Sequence, residues 1–309
     1  MRSIQYPLEK IEGLLFGLFL GDAIGAPFDG CNPDELPFLD SNYVLANPPK
    51  TYTDDTQMGI SVFEEMLENG RIDQQSLVQR FVNRFSPWRG YGGGMLEVIE
   101  KWRDGQDIAA AARSLYGGQG SFGDGAAMRA GPISAFFKLD ETEELITQVG
   151  LCSRLTHTHP YGIAGAVLHA CAVLLALNDV PLADWRHRLS TFPLESVFKI
   201  KLETIRSCIE RQTSAHESAR EIGNDADALD AVPAALFAVL RNPSSFADAV
   251  LFAVSMGGDT DTIGAMTGAI AGARFGSRGI PPEWFAGLEN GTEGKDFISA
   301  LARKAAGLE

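Results

Sequence analysis

Residues 257–272 read GGDTDTIGAMTGAIAG, with glycine at 264, 268 and 272. An α-helix turns once every 3.6 residues, so glycines four apart lie along one helix face. Ile263, Met266, Thr267 and Ile270 repeat at the same period. A matching stretch stands near the start of the chain. There Gly13, Gly17, Gly21 and Gly25 recur at every fourth position, and Leu8, Ile11, Leu14, Leu15 and Leu18 keep helical spacing. Glycine inside a helix costs roughly 1 kcal/mol relative to alanine. Two helices built this way call for a compensating contact, and a face of small residues lets a second backbone approach. Close helix–helix contact in a core, near a shared site, is the expectation. Such faces also mark membrane dimers, but these helices are short and polar at their ends.

The helical period continues elsewhere. Met58, Val62, Phe63, Met66 and Leu67 carry it after Thr53–Thr56, and Ile163, Val167, Ala170, Cys171 and Leu174 carry it later. Pro7, Pro160, Pro181 and Pro281 stand where helices could start. No hairpin signal, linker or fixed-period repeat interrupts the pattern. We predict one all-α domain over residues 1–309, with thirteen or more helices.

Composition narrows the function classes. The 309 residues carry a net charge of −14, which disfavours sequence-reading contact with nucleic-acid phosphates. Hydrophobic residues make up 45% and charged residues 21%, which excludes wholesale disorder. Cys31, Cys152, Cys171 and Cys208 show no CxxC spacing, and reduced thiols in the cytoplasm are expected. Leu14–Leu20 could pass for a signal-peptide core, but Glu9, Lys10, Glu12 and Asp22 flank it, so secretion is not expected. No apolar run reaches the roughly 20 residues that span a bilayer, and no membrane partner is expected. Nothing bears on oligomeric state; a monomer is the simplest expectation.

Six segments could carry chemistry. Thr53-Asp54-Asp55-Thr56 and Gly257–Thr262 each set two carboxylates and hydroxyls before an apolar helix. One such segment is explained by N-capping. Two, each with more acids than a cap uses, fit a site where a cation offsets carboxylate repulsion. Oxygen donors without His or Cys suit Mg²⁺ or Mn²⁺ rather than Zn²⁺, and two ions could be shared between the segments. Gly21–Asp29 reads as a helix end opening a Gly/Pro loop, on which Asp29 is either a solvated acid or a catalytic or ligating one. Arg89–Gly94, with glycine at 90, 92, 93 and 94 before a helix starting near Met95, is either a flexible loop or an anion cradle. Tyr116–Arg129 sets Tyr116 and Phe122 in a glycine frame able to hold a base, with Arg129 a possible internal ion-pair partner. In Thr156–Pro160, no third zinc ligand is near His157 and His159. One histidine bonding a ligand, or capping the next helix, fits better.

Taken in order, GDAIGAPFD, YTDDTQM, FGDGAAMR, LTH and SMGGDTDTIGAM resemble the ADP-ribosylglycohydrolase family, from about Ile11 to Gly276. The resemblance implies a compact, orthogonal multi-helix bundle with a binuclear Mg²⁺ or Mn²⁺ site in a central cleft. It implies metal ligands at Thr53, Asp54, Asp55, Asp259, Asp261 and Thr262. The substrate would be ADP-ribose joined through its anomeric carbon to a protein or small molecule.

Several segments look like the branch that hydrolyses ADP-ribosylserine, O-acetyl-ADP-ribose and poly(ADP-ribose). By that likeness Gly90, Tyr91, Gly92, Gly93 and Gly94 wrap the diphosphate, while Tyr116 and Phe122 hold the adenine end. Ser121, Gly123, Asp124 and His157 complete the substrate contacts. Glu221–Asn224 and Val232–Ala235 also match that branch. Asp29 stands where the branch carries a glutamate on a mobile loop, and Asp124 where it has asparagine. Asp29 and Asp55 are the expected catalytic carboxylates. Aspartate is one methylene shorter, roughly 1.5 Å of reach, so its loop must lie closer or a water must bridge. Arginine-linked ADP-ribose, a non-catalytic ADP-ribose binder and an unrelated di-metal phosphohydrolase are the competing readings.

Overall fold

The computed structural model describes residues 4–308 other than Pro193. These form sixteen α-helices joined by loops and short 3-10 turns, with no strand among the described residues. The first seven are α1 (Leu8–Gly25), α2 (Ser41–Ala46), α3 (Asp54–Asn69), α4 (Gln74–Arg84), α5 (Gly93–Arg103), α6 (Ile108–Ser114) and α7 (Gly125–Met128). Next come α8 (Thr142–Ser153), α9 (Pro160–Leu177), α10 (Leu182–Ser190), α11 (Ser196–Arg211) and α12 (Ala215–Ile222). Then follow α13 (Ala231–Arg241), α14 (Phe246–Val254), α15 (Thr260–Phe275) and α16 (Lys295–Ala305). Buried apolar side chains from Ile11 to Ala305 form one contiguous cluster.

The glycine faces meet. A Cβ built on Gly13 would lie 2.2 Å from the Gly272 carbonyl oxygen; on Gly17, 2.1 Å from that of Gly268; on Gly21, 2.0 Å from that of Gly264. The numbers run in opposite directions, so α1 and α15 are antiparallel, and α9, α13 and α14 flank α15. The sequence placed a helix end at Gly21, but α1 runs on to Gly25 and into a 3-10 turn at Ala26–Phe28. The seam explains the extra turn. Gly25 still faces α15, where a Cβ would sit 2.1 Å from the Thr260 carbonyl oxygen. Tertiary contact here overrides the breaking tendency of glycine.

Helix ends follow local chemistry. Pro160 opens α9 behind an N-cap at His159, whose side chain accepts from the Tyr161 amide. Thr53 caps α3, and Gly70 closes it in the left-handed region at φ +68°. Residues Leu8–Phe28 and the helix α9 have the length and composition of membrane spans, yet 78% and 83% of them are buried inside the protein. Packing within the core accounts for their apolarity. All four cysteines are free; three are buried and Cys31 is half-buried.

Candidate metal and ligand site

The antiparallel seam brings the end of α1 beside the start of α15, so Asp259 and Asp261 emerge next to the loop carrying Asp29. That loop is tied down. The Gly30 amide donates to the Gly258 carbonyl at 2.9 Å, and the Gly258 amide donates to the Cys31 carbonyl at 2.9 Å. Asp29, Asp259 and Asp261 thereby each place a carboxylate oxygen within 4.8 Å of the others. Asp259 occupies the N-cap position of α15 but makes no capping bond through its side chain. Its carboxylate instead meets those of Asp124 and Asp261.

A residue not singled out from the sequence holds the third segment in place. Asp22 is the one charged residue in Leu14–Gly25 and is wholly buried. An acid in so apolar a helix was the available signal. Its Oδ1 accepts from the Thr53 amide at 2.9 Å. Its Oδ2 accepts from the Thr56 amide at 3.0 Å and the Thr56 hydroxyl at 2.6 Å. These bonds fix the first turn of α3 and bury Asp54 and Asp55 beside the triad. The Thr53 hydroxyl donates to Asp55 Oδ2 at 3.0 Å, while Asp55 Oδ1 is buried without a partner. Thr262 lines the cavity, and its amide donates to Asp261 Oδ1 at 2.9 Å.

Burial and mutual repulsion push these carboxyls up. For Asp261, at about 8, burial leads, followed by the hydrogen bond and charge of Asp259 and then Asp29. For Asp22, at about 7, burial is followed by the charge of Asp261. Asp54 and Asp55 are held well above the ordinary range by burial and then by Asp261 and Asp22. Asp259 is raised by burial and then by Asp124. So many acids ionise together only if cations offset them. The orphaned Asp55 Oδ1 and an all-oxygen donor set suit a hard divalent cation.

The acids line a cavity of about 330 Å³. Gly90 and Gly92–Gly94, where α5 begins, line the same cavity, Gly90 next to Asp54. Gly92 and Gly93 have open space where a Cβ would go. The first amides of α5 belong to this lining, so backbone donors and a helix N-terminus suit an anion there. Tyr116 also lines the cavity; it is largely exposed and held at φ +51°, unusual for a non-glycine residue.

Not every residue singled out from the sequence reaches the cavity. Tyr91 turns into the core, where its hydroxyl donates to Gln57 Oε1 at 2.7 Å and its ring packs on Phe85. It anchors the glycine loop from behind. Phe122 lies outside, edge-on to His159 with centroids 5.6 Å apart. Gly123 forms an isolated bridge with Asp227, and its amide donates to the Ser121 hydroxyl. Ser121 and Asp124 do line the cavity, and Asp124 Oδ2 is buried with no partner. Burial above all raises Asp124 to about 7.

The two histidines of Thr156–Pro160 part company. His159 caps α9, while His157 lines the cavity. Burial, then the charge of Arg129, lowers His157 to about 3, so its imidazole is neutral at ordinary pH. Arg129 is not an ion-pair partner among the described residues. It donates instead to the Gly125 and Cys152 carbonyls and to Thr156 Oγ1.

Comparison with known proteins bears on the family and the fold. The family model described as ADP-ribosylglycohydrolase matches residues 4–309. A protein of Danio rerio named ADP-ribosylhydrolase ARH3 is 32% identical over 96% of this chain and 90% of its own length. Its namesake in Homo sapiens is 29% identical over 94% of this chain and 92% of its own length. A solved structure titled ADP-ribosylglycohydrolase-related protein complex shares the fold with a TM-score of 0.76. It is 24% identical and covers 97% of this chain and 98% of that one.

Proposed function

The chain belongs to the ADP-ribosylglycohydrolase family, and on that premise we propose a metal-dependent hydrolase that releases ADP-ribose from O-linked acceptors. Serine on proteins and O-acetyl-ADP-ribose are the first candidates, with poly(ADP-ribose) next. The observation that carries this reading is a cavity with two unlike linings: the carboxylates of Asp29, Asp259 and Asp261, and glycine backbone at a helix N-terminus. ADP-ribose has matching parts, a ribose rich in hydroxyls and an anionic diphosphate.

Asp29, Asp54, Asp55, Asp259 and Asp261, with Thr53 and Thr262, would hold two Mg²⁺ ions, or Mn²⁺. When bound, such ions neutralise the carboxylates and polarise the oxygens they touch. The chain does the rest. The glycine loop and α5 amides bind the diphosphate and spend that energy on orientation. Asp29 is exposed at the triad, so its carboxylate is placed to take a proton from water or return one to the leaving oxygen. Asp55, buried on the same cavity, is the alternative for the same role. In the net reaction the bond from the ribose anomeric carbon to the acceptor oxygen breaks. Water supplies the new hydroxyl and, through the carboxylate, the acceptor's proton. The free thiols suit a cytoplasmic enzyme, and we take it as a monomer.

The test is a substrate panel with Mg²⁺: serine-, arginine- and O-acetyl-linked ADP-ribose, with wild type and Asp261→Asn. We expect the O-linked substrates to be cleaved and Asp261→Asn to lose at least about 100-fold in turnover together with bound metal. Unchanged turnover and metal content in the variant would overturn the assignment. Preference for the arginine linkage would move the protein to the other branch.

A further inference from the structure

Arg129 is 1% exposed and pairs with no carboxylate among the described residues, although acids crowd the same cavity. A buried charge held only by neutral groups is costly to keep, so what it does to its neighbours matters. Its guanidinium donates to the Gly125 carbonyl at 2.9 Å, the Cys152 carbonyl at 3.2 Å and Thr156 Oγ1 at 2.7 Å. The same Thr156 Oγ1 lies 2.7 Å from His157 Nδ1.

A hydroxyl has one proton to give, and a guanidinium only donates. Arg129 therefore occupies a lone pair of Thr156 Oγ1. The Thr156 proton is left to the one acceptor within reach among the described residues, His157 Nδ1. Were Nδ1–H instead to donate to the second lone pair, the Thr156 proton would have no acceptor among the described residues. With Nδ1 accepting, that proton is paired and the imidazole proton sits on Nε2. His157 is 8% exposed and lines the cavity, and Nε2 has no protein partner among the described residues. A Cβ on either Gly123 or Gly125 would come within 3.5 Å of Nε2. The absence of side chains at both positions leaves that N–H open to a ligand.

We infer that Arg129 and Thr156 are positioning residues that lock His157 as the Nε2–H tautomer, so that it donates a hydrogen bond to a diphosphate oxygen of bound ADP-ribose. Naming the diphosphate rests on the proposed function; the lock itself does not. The other tautomer would aim a lone pair at an anionic oxygen. The guanidinium also opposes protonation of the ring, so the donor is a neutral one across the working pH range.

The experiment is two-bond ¹H–¹⁵N NMR of histidine-labelled, Mg²⁺-loaded protein, with the His157 signals assigned by their loss in His157→Gln. ADP-ribose titration is run in parallel. We expect wild type to show the Nε2–H pattern. Thr156→Val should give mixed tautomers and an ADP-ribose affinity weaker by about 10- to 100-fold, and Thr156→Ser should restore the pattern. Arg129→Met, checked for cooperative unfolding, should let the imidazole titrate nearer its ordinary value. An Nδ1–H pattern in wild type overturns the lock, as does Thr156→Val with tautomer and affinity intact. An unchanged titration in Arg129→Met overturns the part given to Arg129. If wild type shows the Nε2–H pattern yet binds no ADP-ribose, the diphosphate assignment falls with the proposed function and the lock stands.

Discussion

Glycine recurs in two regions of this protein for opposite reasons. Along the α1–α15 seam the space is taken: Cβ atoms on Gly17, Gly268 and Gly272 would meet backbone oxygens at 2.1, 2.0 and 1.9 Å. In the loop before α5 the space is empty: Gly92 and Gly93 have nothing within 4 Å of a built Cβ, and for Gly90 the nearest atom is 3.8 Å away. The seam glycines answer to the protein itself. The glycines at 92 and 93 answer to no protein atom; under the proposed function, a bound diphosphate is what would exclude a side chain there. The seam ends at the cavity that the second region lines, one bringing Asp259 and Asp261 to it and the other leaving its backbone bare.

The sharpest way to break that comparison is Gly17→Ala. Its methyl would meet a carbonyl oxygen and carbon of α15, neither of which can swing aside as a side-chain tip would. The helices must part along their length. We expect a loss of about 3 kcal/mol or more, or failure to fold, read as a fall in the urea midpoint. A midpoint equal to wild type would mean that the seam is not tight in solution.

The next effect concerns the acids that the seam delivers. Asp22 at about 7 and Asp261 at about 8 lie above the ordinary carboxyl range of roughly 4. The folded, metal-free protein therefore holds protons that the unfolded chain has already released. The stability from that difference is complete below the unfolded value and is lost as pH rises through the folded values. We expect the chelated protein to lose on the order of 6 kcal/mol between about pH 5 and about pH 8. Mg²⁺ should flatten that slope, because the ions replace the protons. Urea titrations at both pH values, with Mg²⁺ or with chelator, decide it. Chelation should also sharply weaken ADP-ribose binding, since the carboxylates would then repel the anion.

Sequence patterns carried much of this site, and the physical reason is that local rules wrote those parts. Four-residue glycine spacing is a helix-face signal wherever it occurs. Acids and hydroxyls before an apolar run mark a helix start, so both ends of the carboxylate cluster could be named. What stayed hidden depends on contacts distant in the chain. Asp22 receives its hydrogen bonds from Thr53 and Thr56, more than thirty residues on. Its burial was hinted at only by its apolar surroundings. The pairing of Gly30 and Cys31 with Gly258 crosses most of the chain, and nothing near Asp29 announces it. Tyr91 was read with its glycine neighbours because they adjoin it in sequence. Its ring instead follows the apolar pull of Phe85 and the acceptor on Gln57 into the core.

The smallest expected effect sharpens the comparison from the other side. Gly93→Ala adds a methyl in open space at the first position of α5. Gly93 is absent from the positive-φ glycines, so alanine fits without backbone strain. Alanine is also the better helix former, so stability should hold or rise by a few tenths of a kcal/mol. If the loop is bare because a diphosphate lies against it, that same methyl stands between the anion and the α5 amides. ADP-ribose affinity should then fall by about tenfold, close to one lost charge-assisted hydrogen bond. Titration calorimetry and a thermal melt on the same sample separate the two quantities. Affinity unchanged at unchanged stability would leave the loop glycines without a ligand to answer to. A large loss of stability would make them seam glycines after all.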